Sequence, residues 1–155
     1  LVFSTLHTND APSSITRLIN MGTPNYLISA ALTLIMAQRL ARKSCTDCRV
    51  IDENITPKLL NSIGFLPEQS ARAKIYKGTG CEECSGSGYK GRMGIYEILE
   101  IDNELKAGIL SNLQQTELNA IAKKNGFRTM QDMGQDLLLS GDLSFAEYER
   151  VLQSN

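Results

Sequence analysis

The sequence predicts an α/β chain that is mostly helical, with a cysteine-paired segment inserted near its middle and a small helical bundle at its end. Three observations predict this class. The chain opens on an apolar run, Leu1–Thr5, that is typical of a buried strand and is followed by a helix signal. The four cysteines occur as two C-x-x-C pairs. Helix caps and glycine stops recur between Asn103 and Leu152.

The first helix is predicted directly after the opening strand. Asn9 or Asp10 is a suitable N-cap, and Pro12 follows where its missing N–H does no harm. An apolar i, i+3, i+4 stripe begins at Ile15, and Gly22 ends the helix. Since a strand that begins at residue one lacks sheet partners, we expect the chain to be the C-terminal piece of a longer protein.

Polar residues at the end of the opening strand form a candidate binding site. In open α/β sheets, ligands bind just beyond the carboxyl ends of the strands. Thr5, His7 and Thr8 occupy that position. The alternatives are that His7 is a buried, hydrogen-bonded histidine and that the hydroxyls only cap the next helix.

A second helix is predicted from Asn25 to Lys43. Because it is apolar on nearly every side, we expect it to be buried. Its last turn is basic, with Arg39 and Arg42 beside the first cysteine pair. Its most apolar run is shorter than the roughly 20 residues that span a bilayer.

The cysteine pairs predict a metal site. Cys45 and Cys48 form one pair, Cys81 and Cys84 form the other, and 32 residues lie between them. Two such pairs complete a tetrahedral site of four sulfurs, which suits a structural Zn²⁺ and leaves no position for substrate. Two disulfides would need an oxidising compartment, and a redox C-x-x-C would need a thioredoxin-like context.

Shorter elements are predicted within and after the cysteine segment. Thr56 and Pro57 start a helix that ends at Gly64, and 74–77 is a short strand. Gly86, Gly88 and Gly91, which follow the second pair, are expected to allow tight turns and to aim N–H groups at the sulfurs. A strand follows over 93–101 with Ile95, Glu97 and Leu99 on one face. The predicted helices are Asn103–Asn112, Gln115–Lys124, Met130–Leu139, and one from a capping box at Ser144 to Leu152.

Composition excludes some partners. The chain has 155 residues, a net charge of −1 and no tryptophan. A global basic field and stacking platforms for bases are therefore absent, and we expect no nucleic-acid partner. With no visible signal segment and with reduced cysteines, we expect a cytoplasmic protein without a membrane span.

Several motifs in a fixed order carry a resemblance to a known family. They are Ser4–Asn9 (STLHTN), Arg17–Leu18, Ala37–Arg42 (AQRLAR), the two C-x-x-C pairs and Gly88–Glu97 (GYKGRMGIYE). In this order they resemble the C-terminal part of the type II secretion and type IV pilus (including MSHA-type) assembly ATPases. The resemblance is to the branch that carries a tetracysteine zinc subdomain.

The resemblance implies a domain organisation and site residues. Residues 1–43 would be a remnant of a RecA-like P-loop ATPase core, 44–92 the zinc subdomain, and 93–155 a strand with the helical subdomain. His7 would sense the nucleotide phosphate as a catalytic residue of the parent protein. Thr5, Thr8, Gln38 and Arg39 would contact nucleotide, although Gln38 and Arg39 equally fit a purely structural role.

The resemblance also implies partners and cofactors. The parent would be a homo-hexameric cytoplasmic ATPase that uses ATP and Mg²⁺ to power pilus or pseudopilus assembly and protein secretion. It would lie at the inner membrane through the platform and assembly proteins of that machine. This chain has no G-x-x-x-x-G-K-[ST] motif, so we expect it to be inactive by itself.

An alternative is a stand-alone zinc-binding module for protein interaction. The stretch from Cys81 to Gly88 matches one C-x-x-C-x-G-x-G repeat of Hsp40-type zinc domains. Those domains carry four repeats, and this chain has one. The histidine motif and the flanking helices have no place in that alternative.

Overall fold

The computed structural model describes residues 1–153 and has mixed α/β content, with 46% helix and 19% strand. Its helices are α1 (Ala11–Asn20), α2 (Asn25–Ala31), α3 (Pro57–Ser62), α4 (Pro67–Arg72), α5 (Asn103–Leu110), α6 (Gln115–Lys124), α7 (Met130–Ser140) and α8 (Phe145–Tyr148). Its strands are β1 (Leu34–Ser44), β2 (Arg49–Ile51), β3 (Tyr76–Gly78) and β4 (Tyr89–Glu100). A 3₁₀ turn covers Glu82–Cys84, and a π-helical turn covers Glu149–Gln153.

The chain forms two compact units by its internal contacts. The first contains residues 1–38 and 96–129, and the second contains 39–95 and the described residues from Met130 onward. Strands β1 and β4 form one two-stranded sheet, and β2 pairs antiparallel with β3 from Arg49↔Gly78 to Ile51↔Tyr76. The division into 1–43, 44–92 and 93–155 stays a prediction, as does a RecA-like core.

The first unit is built around an apolar core between helices and the end of β4. Its buried members are Ala11, Ile15, Ile28, Leu99, Ile101, Leu105, Ile109, Leu118 and Ala122. The predicted start of α1 is confirmed, since the Asp10 side chain accepts from the Ser13 N–H in a capping box. Helices α5 and α6 are confirmed in place, and Asp102 caps the start of α5.

The predicted strand over Leu1–Thr5 is wrong for this structure. These residues have no regular secondary structure, and Leu1, Val2 and Phe3 are 106%, 91% and 87% exposed. A strand needs a neighbour that takes up its backbone hydrogen bonds. No strand among residues 1–153 pairs with this segment, so apolar composition alone does not make it a strand.

The predicted helix from Asn25 to Lys43 is also wrong beyond its first two turns. Helix α2 ends at Ala31, and the rest forms β1 from Leu34 to Ser44. Exposure alternates along β1 through Ala41, as it does when one face is covered. The apolar run that continues to Ala37 fits both a buried helix and a strand, and pairing with β4 decides for the strand.

In the second unit, a buried carboxylate ties the last helix to β1. The predicted cap is confirmed in part, since Ser144 Oγ accepts from the Glu147 N–H. The Glu147 carboxylate, with a fully buried side chain, does not complete the box but binds Arg42 and Arg150. It also accepts from the Arg42 backbone N–H at 2.7 Å.

The remaining predicted elements agree closely with the structure. Thr56 caps α3, and the 74–77 strand appears as β3, shifted by about two residues. Strand β4 begins earlier than the predicted 93 and buries Ile95, Glu97 and Leu99 on one face as predicted. Within residues 1–153, no helix combines the length and apolar character needed to cross a membrane.

Candidate metal centre and histidine loop

The four cysteines converge in the second unit, and all four Sγ atoms lie within 4.8 Å of one another. The Sγ–Sγ distances are 3.8 Å for Cys45–Cys81, 3.8 Å for Cys48–Cys84 and 3.7 Å for Cys81–Cys84. A tetrahedron with metal–sulfur bonds of about 2.3 Å separates its sulfurs by about 3.8 Å. A disulfide bond is about 2.05 Å long, and all four cysteines are free. The four side chains therefore fit a single four-coordinate ion.

Backbone N–H groups point at two of the sulfurs. Gly80 donates to Cys48 Sγ at 3.3 Å, and both Cys81 and Gly88 donate to Cys84 Sγ at 3.2 Å. Such donors stabilise thiolate charge and orient the ligand toward a metal. The prediction that glycines after the second pair aim N–H groups at the sulfurs is confirmed at Gly88. Gly86 instead donates to the Cys81 carbonyl oxygen at 2.9 Å, and the Gly80 donor was not predicted.

The site makes its two buried thiols unequal in acidity. Burial by itself would raise the pKa of Cys84, but the N–H groups of Cys81 and Gly88 outweigh it and lower the pKa to about 6. Burial raises the pKa of Cys45 to about 12. The backbone donors therefore favour the thiolate form of Cys84, and a cation beside Cys45 would favour ionisation of that thiol.

Close contact between two glycine backbones holds the second pair in place. A Cβ at Gly88 would lie 2.7 Å from the Gly78 carbonyl oxygen, and a Cβ at Gly78 would lie still closer to Gly88. The Gly88 carbonyl oxygen accepts from the Cys45 N–H at 3.0 Å. Neither position has space for a side chain. Sequence reasoning missed the role of Gly78, whose signal was a glycine at the end of a predicted short strand.

Basic residues near the cysteines have partners of their own. Lys90 Nζ lies 2.6 Å from Glu83 and 3.9 Å from Asp47, so it bridges the two C-x-x-C loops. Arg42 binds Glu147, and Arg49 donates to the Gly141 carbonyl at 3.0 Å. Lys90 thus places a cation at the rim of the cysteine site.

His7 lies in the first unit at an open depression of about 260 Å³, which Thr8, Arg17 and Gln115 also line. His7 is exposed, so it is not a buried core histidine. The Thr8 hydroxyl lies 2.8 Å from the Ser14 hydroxyl of α1, while Thr5 is exposed in the irregular opening segment. The structure therefore brings His7 and Thr8 together with a cation, Arg17.

Gln38 and Arg39 are neighbours on β1, not on a helix as predicted. Gln38 Nε2 donates to the Tyr96 hydroxyl at 3.2 Å, and it is not among the residues lining the depression beside His7. The Arg39 guanidinium donates to the Val151 carbonyl oxygen. Gln38 therefore links β1 to β4, and Arg39 links β1 to the π-helical turn.

Comparison with known proteins agrees with the order of motifs. A family described as "Type II/IV secretion system protein" matches residues 1–150. The chain is 41% identical over 147 residues to the type IV pilus assembly ATPase PilB of Thermus thermophilus, covering 95% of this chain and 16% of that protein. It is 35% identical over 155 residues to the type II secretion system protein E of Aeromonas hydrophila, covering 100% of this chain and 30% of that protein.

A third relative is the type II secretion system protein HxcR of Pseudomonas aeruginosa, 33% identical over 97% of this chain and 28% of that protein. The chain therefore spans less than a third of the length of these relatives. The matched region contains both the histidine loop and all four cysteines. On this evidence the chain belongs to the type II/IV secretion system protein family, that of the secretion and pilus assembly ATPases.

Proposed function

We propose that this chain is a working part of an ATPase that powers pilus or pseudopilus assembly or protein secretion, and that its cysteines hold one structural Zn²⁺. The single observation that carries the metal proposal is the set of 3.7–3.8 Å sulfur separations. Four thiolates fill a tetrahedral shell, so the ion would have no open position for substrate. Its contribution would be to close the 32-residue excursion between the pairs.

The donor set supports zinc over Mg²⁺ and Ca²⁺. Four sulfur ligands in a tetrahedron suit Zn²⁺ or iron, whereas Mg²⁺ and Ca²⁺ prefer oxygen. Gly80, Cys81 and Gly88 supply three N–H donors to the sulfurs, which offsets part of the charge of four thiolates. Lys90 adds a cation at the rim.

We further propose that His7 lies beside the phosphates of ATP in the complete protein. What supports this is an exposed imidazole next to a hydroxyl, Thr8, and a guanidinium, Arg17, at one depression. An imidazole can donate a hydrogen bond to a phosphate while accepting another. Thr5, Gln38 and Arg39 remain weaker candidates for nucleotide contact, because the contacts of Gln38 and Arg39 favour a structural role.

The proposed parent is a cytoplasmic homo-hexamer that binds ATP and Mg²⁺ and works at the inner membrane through the platform proteins of its machine. The names of the relatives support the ATPase role. The family match over residues 1–150 favours the ATPase role over a stand-alone Hsp40-like zinc module. Such a module would account for the cysteines but not for the rest of the matched chain. The lack of a P-loop motif in this chain means that hydrolysis needs residues outside it.

The test is the ATPase rate of the longer protein that contains this chain. His7→Ala should lower kcat by about tenfold or more, since one lost transition-state donor typically costs about that much or more. Lys123→Ala, at an exposed position of α6 that does not line the depression, is the control and should leave kcat within about twofold. An unchanged kcat in His7→Ala contradicts the role given to His7.

A further inference from the structure

Glu97 is a carboxylate on the buried face of β4, where hydrophobic residues would be expected. It is 3% exposed, and Leu99, two positions on along the same face, is 2% exposed. A buried carboxylate is costly unless donors surround it. The Glu97 carboxylate therefore has a structural role. Its signal in the sequence is an acidic residue at a position of the strand where an apolar residue is expected.

One partner of this carboxylate is the beginning of α1, 86 residues away in sequence. Glu97 Oε1 accepts from the Ala11 N–H at 2.5 Å. Ala11 is the first residue of the helix, so its N–H has no acceptor within the helix. The carboxylate also faces the positive end of the α1 dipole. Both groups therefore gain from the contact.

The segment before α1 is held by further short contacts of its own. Asp10 Oδ1 accepts from the Ser13 N–H at 2.7 Å, and the Thr8 and Ser14 hydroxyls are 2.8 Å apart. These contacts fix Thr8 to Asp10 onto α1. Glu97 then fixes the start of α1 onto β4. His7 is the next residue outward from this fixed segment.

We propose that Glu97 is a positioning residue, which sets the orientation of His7 by anchoring the start of α1 to the sheet. The proposal rests on the phosphate-sensing function given to His7 above. Glu97 does not touch the depression that His7 lines, so its effect passes through Ala11 and the Thr8–Asp10 segment. This contact would limit the positions that the His7 imidazole can take, although the side chain is exposed.

The test uses the fact that His7 is the one histidine of the sequence, so its ring signals in an NMR spectrum are unambiguous. Glu97→Leu keeps the approximate volume and removes the acceptor, whereas Glu97→Gln keeps a neutral acceptor oxygen. In Glu97→Leu we expect hydrogen exchange at the Ala11 amide to rise about tenfold or more, and the His7 ring signals to shift. Exchange at Leu118 in α6 should change by less than about twofold.

Glu97→Gln should restore most of the native behaviour, with Ala11 exchange about threefold faster than native, since a neutral acceptor binds more weakly than a charged one. The same two changes at Glu100, exposed on β4, are the matched controls and should leave Ala11 and His7 unaffected. Native Ala11 exchange and native His7 signals in Glu97→Leu overturn the proposal. If Glu97→Leu does not fold, unchanged Ala11 exchange in Glu97→Gln overturns it.

Measurements of the ATPase rate separate the positioning role of Glu97 from the phosphate-sensing role of His7 on which it rests. In the longer protein, Glu97→Leu should lower kcat with KM for ATP within about twofold, and Glu97→Gln should recover most of the rate. If Glu97→Leu loosens Ala11 and shifts the His7 signals while His7→Ala leaves kcat unchanged, the anchor stands and the role given to His7 fails. If His7→Ala lowers kcat and Glu97→Leu leaves the loop intact, the anchor fails.

Discussion

Replacing Glu147 by glutamine tests the charge network that joins the last helix to β1. Its carboxylate accepts from Arg42 Nη2 at 2.7 Å, from Arg150 Nε at 2.8 Å and from the Arg42 backbone N–H at 2.7 Å. Glutamine keeps an oxygen for the backbone donor but removes the charge that pairs with both guanidinium groups. The variant therefore isolates the ionic part of the network.

The size of the effect follows from the acidity of the carboxyl group. Burial opposes ionisation of Glu147, but hydrogen bonds from Arg150 and Arg42 outweigh it and lower the pKa from 4.5 to about 2. At about 1.36 kcal/mol per pH unit, this corresponds to about 3 kcal/mol. Because the Arg42 and Arg150 side chains are 47% and 53% exposed, water screens the pair. We therefore expect Glu147→Gln to cost about 1–2 kcal/mol, or about 3–6 °C in Tm.

The assay is thermal and denaturant unfolding of native and Glu147→Gln chains, measured in pairs at each pH. The folded pKa lies below the unfolded one, so this stabilisation is fully present above about pH 4.5 and is lost as the pH falls toward 2. The difference between the two chains should therefore shrink below pH 4.5. Glu53→Gln, at an exposed position of the same unit, is the control and should stay within about 0.5 kcal/mol of native. Equal stability of native and Glu147→Gln at pH 7 refutes this reasoning.

Three further predictions concern the metal centre and the reaction. Gly88→Ala should destabilise the chain by about 2 kcal/mol more than Gly86→Ala. Both glycines have φ +76°, but a Cβ at Gly88 would meet the Gly78 oxygen, whereas a Cβ at Gly86 would meet open space. Equal melting temperatures of the two variants contradict this prediction. A strong chelator should lower the melting temperature and increase amide exchange within 45–84, since metal binding is coupled to folding; unchanged melting after the ion is verifiably removed contradicts a structural role. The 155-residue chain alone should show no ATP hydrolysis above background, and a rate within about tenfold of a complete relative contradicts that expectation.

Local signals in the sequence predicted most of the helices that begin at a capping side chain. Asp10, Thr56 and Ser144 each accept a hydrogen bond from the helix that they were predicted to cap. Asp102 caps α5 in the same way, although it was not predicted to do so. The Gly88 N–H donor to sulfur was also predictable, because C-x-x-C turns require tight backbone at known positions. These features depend on a few adjacent residues, so the sequence contains the needed information.

The failures lie where distant partners decide the structure. Residues 34–44 form β1 because β4 pairs with them, and an apolar run without clear alternation cannot reveal that partner. Leu1–Thr5 has strand composition but no partner strand among the described residues, so it is irregular. The contact between Gly78 and Gly88, and those of Glu97 with Ala11 and Glu147 with Arg42, join residues far apart in sequence.

The most direct test of the account is the metal content of the purified chain. Elemental analysis combined with thiol titration should find one zinc ion per chain and four thiols that become reactive only after chelation or denaturation. Cys84→Ser should lose most of the zinc, because it removes a sulfur that accepts two N–H donors in the site. A native chain free of metal, with its four thiols freely reactive or joined as disulfides, contradicts the proposed metal centre.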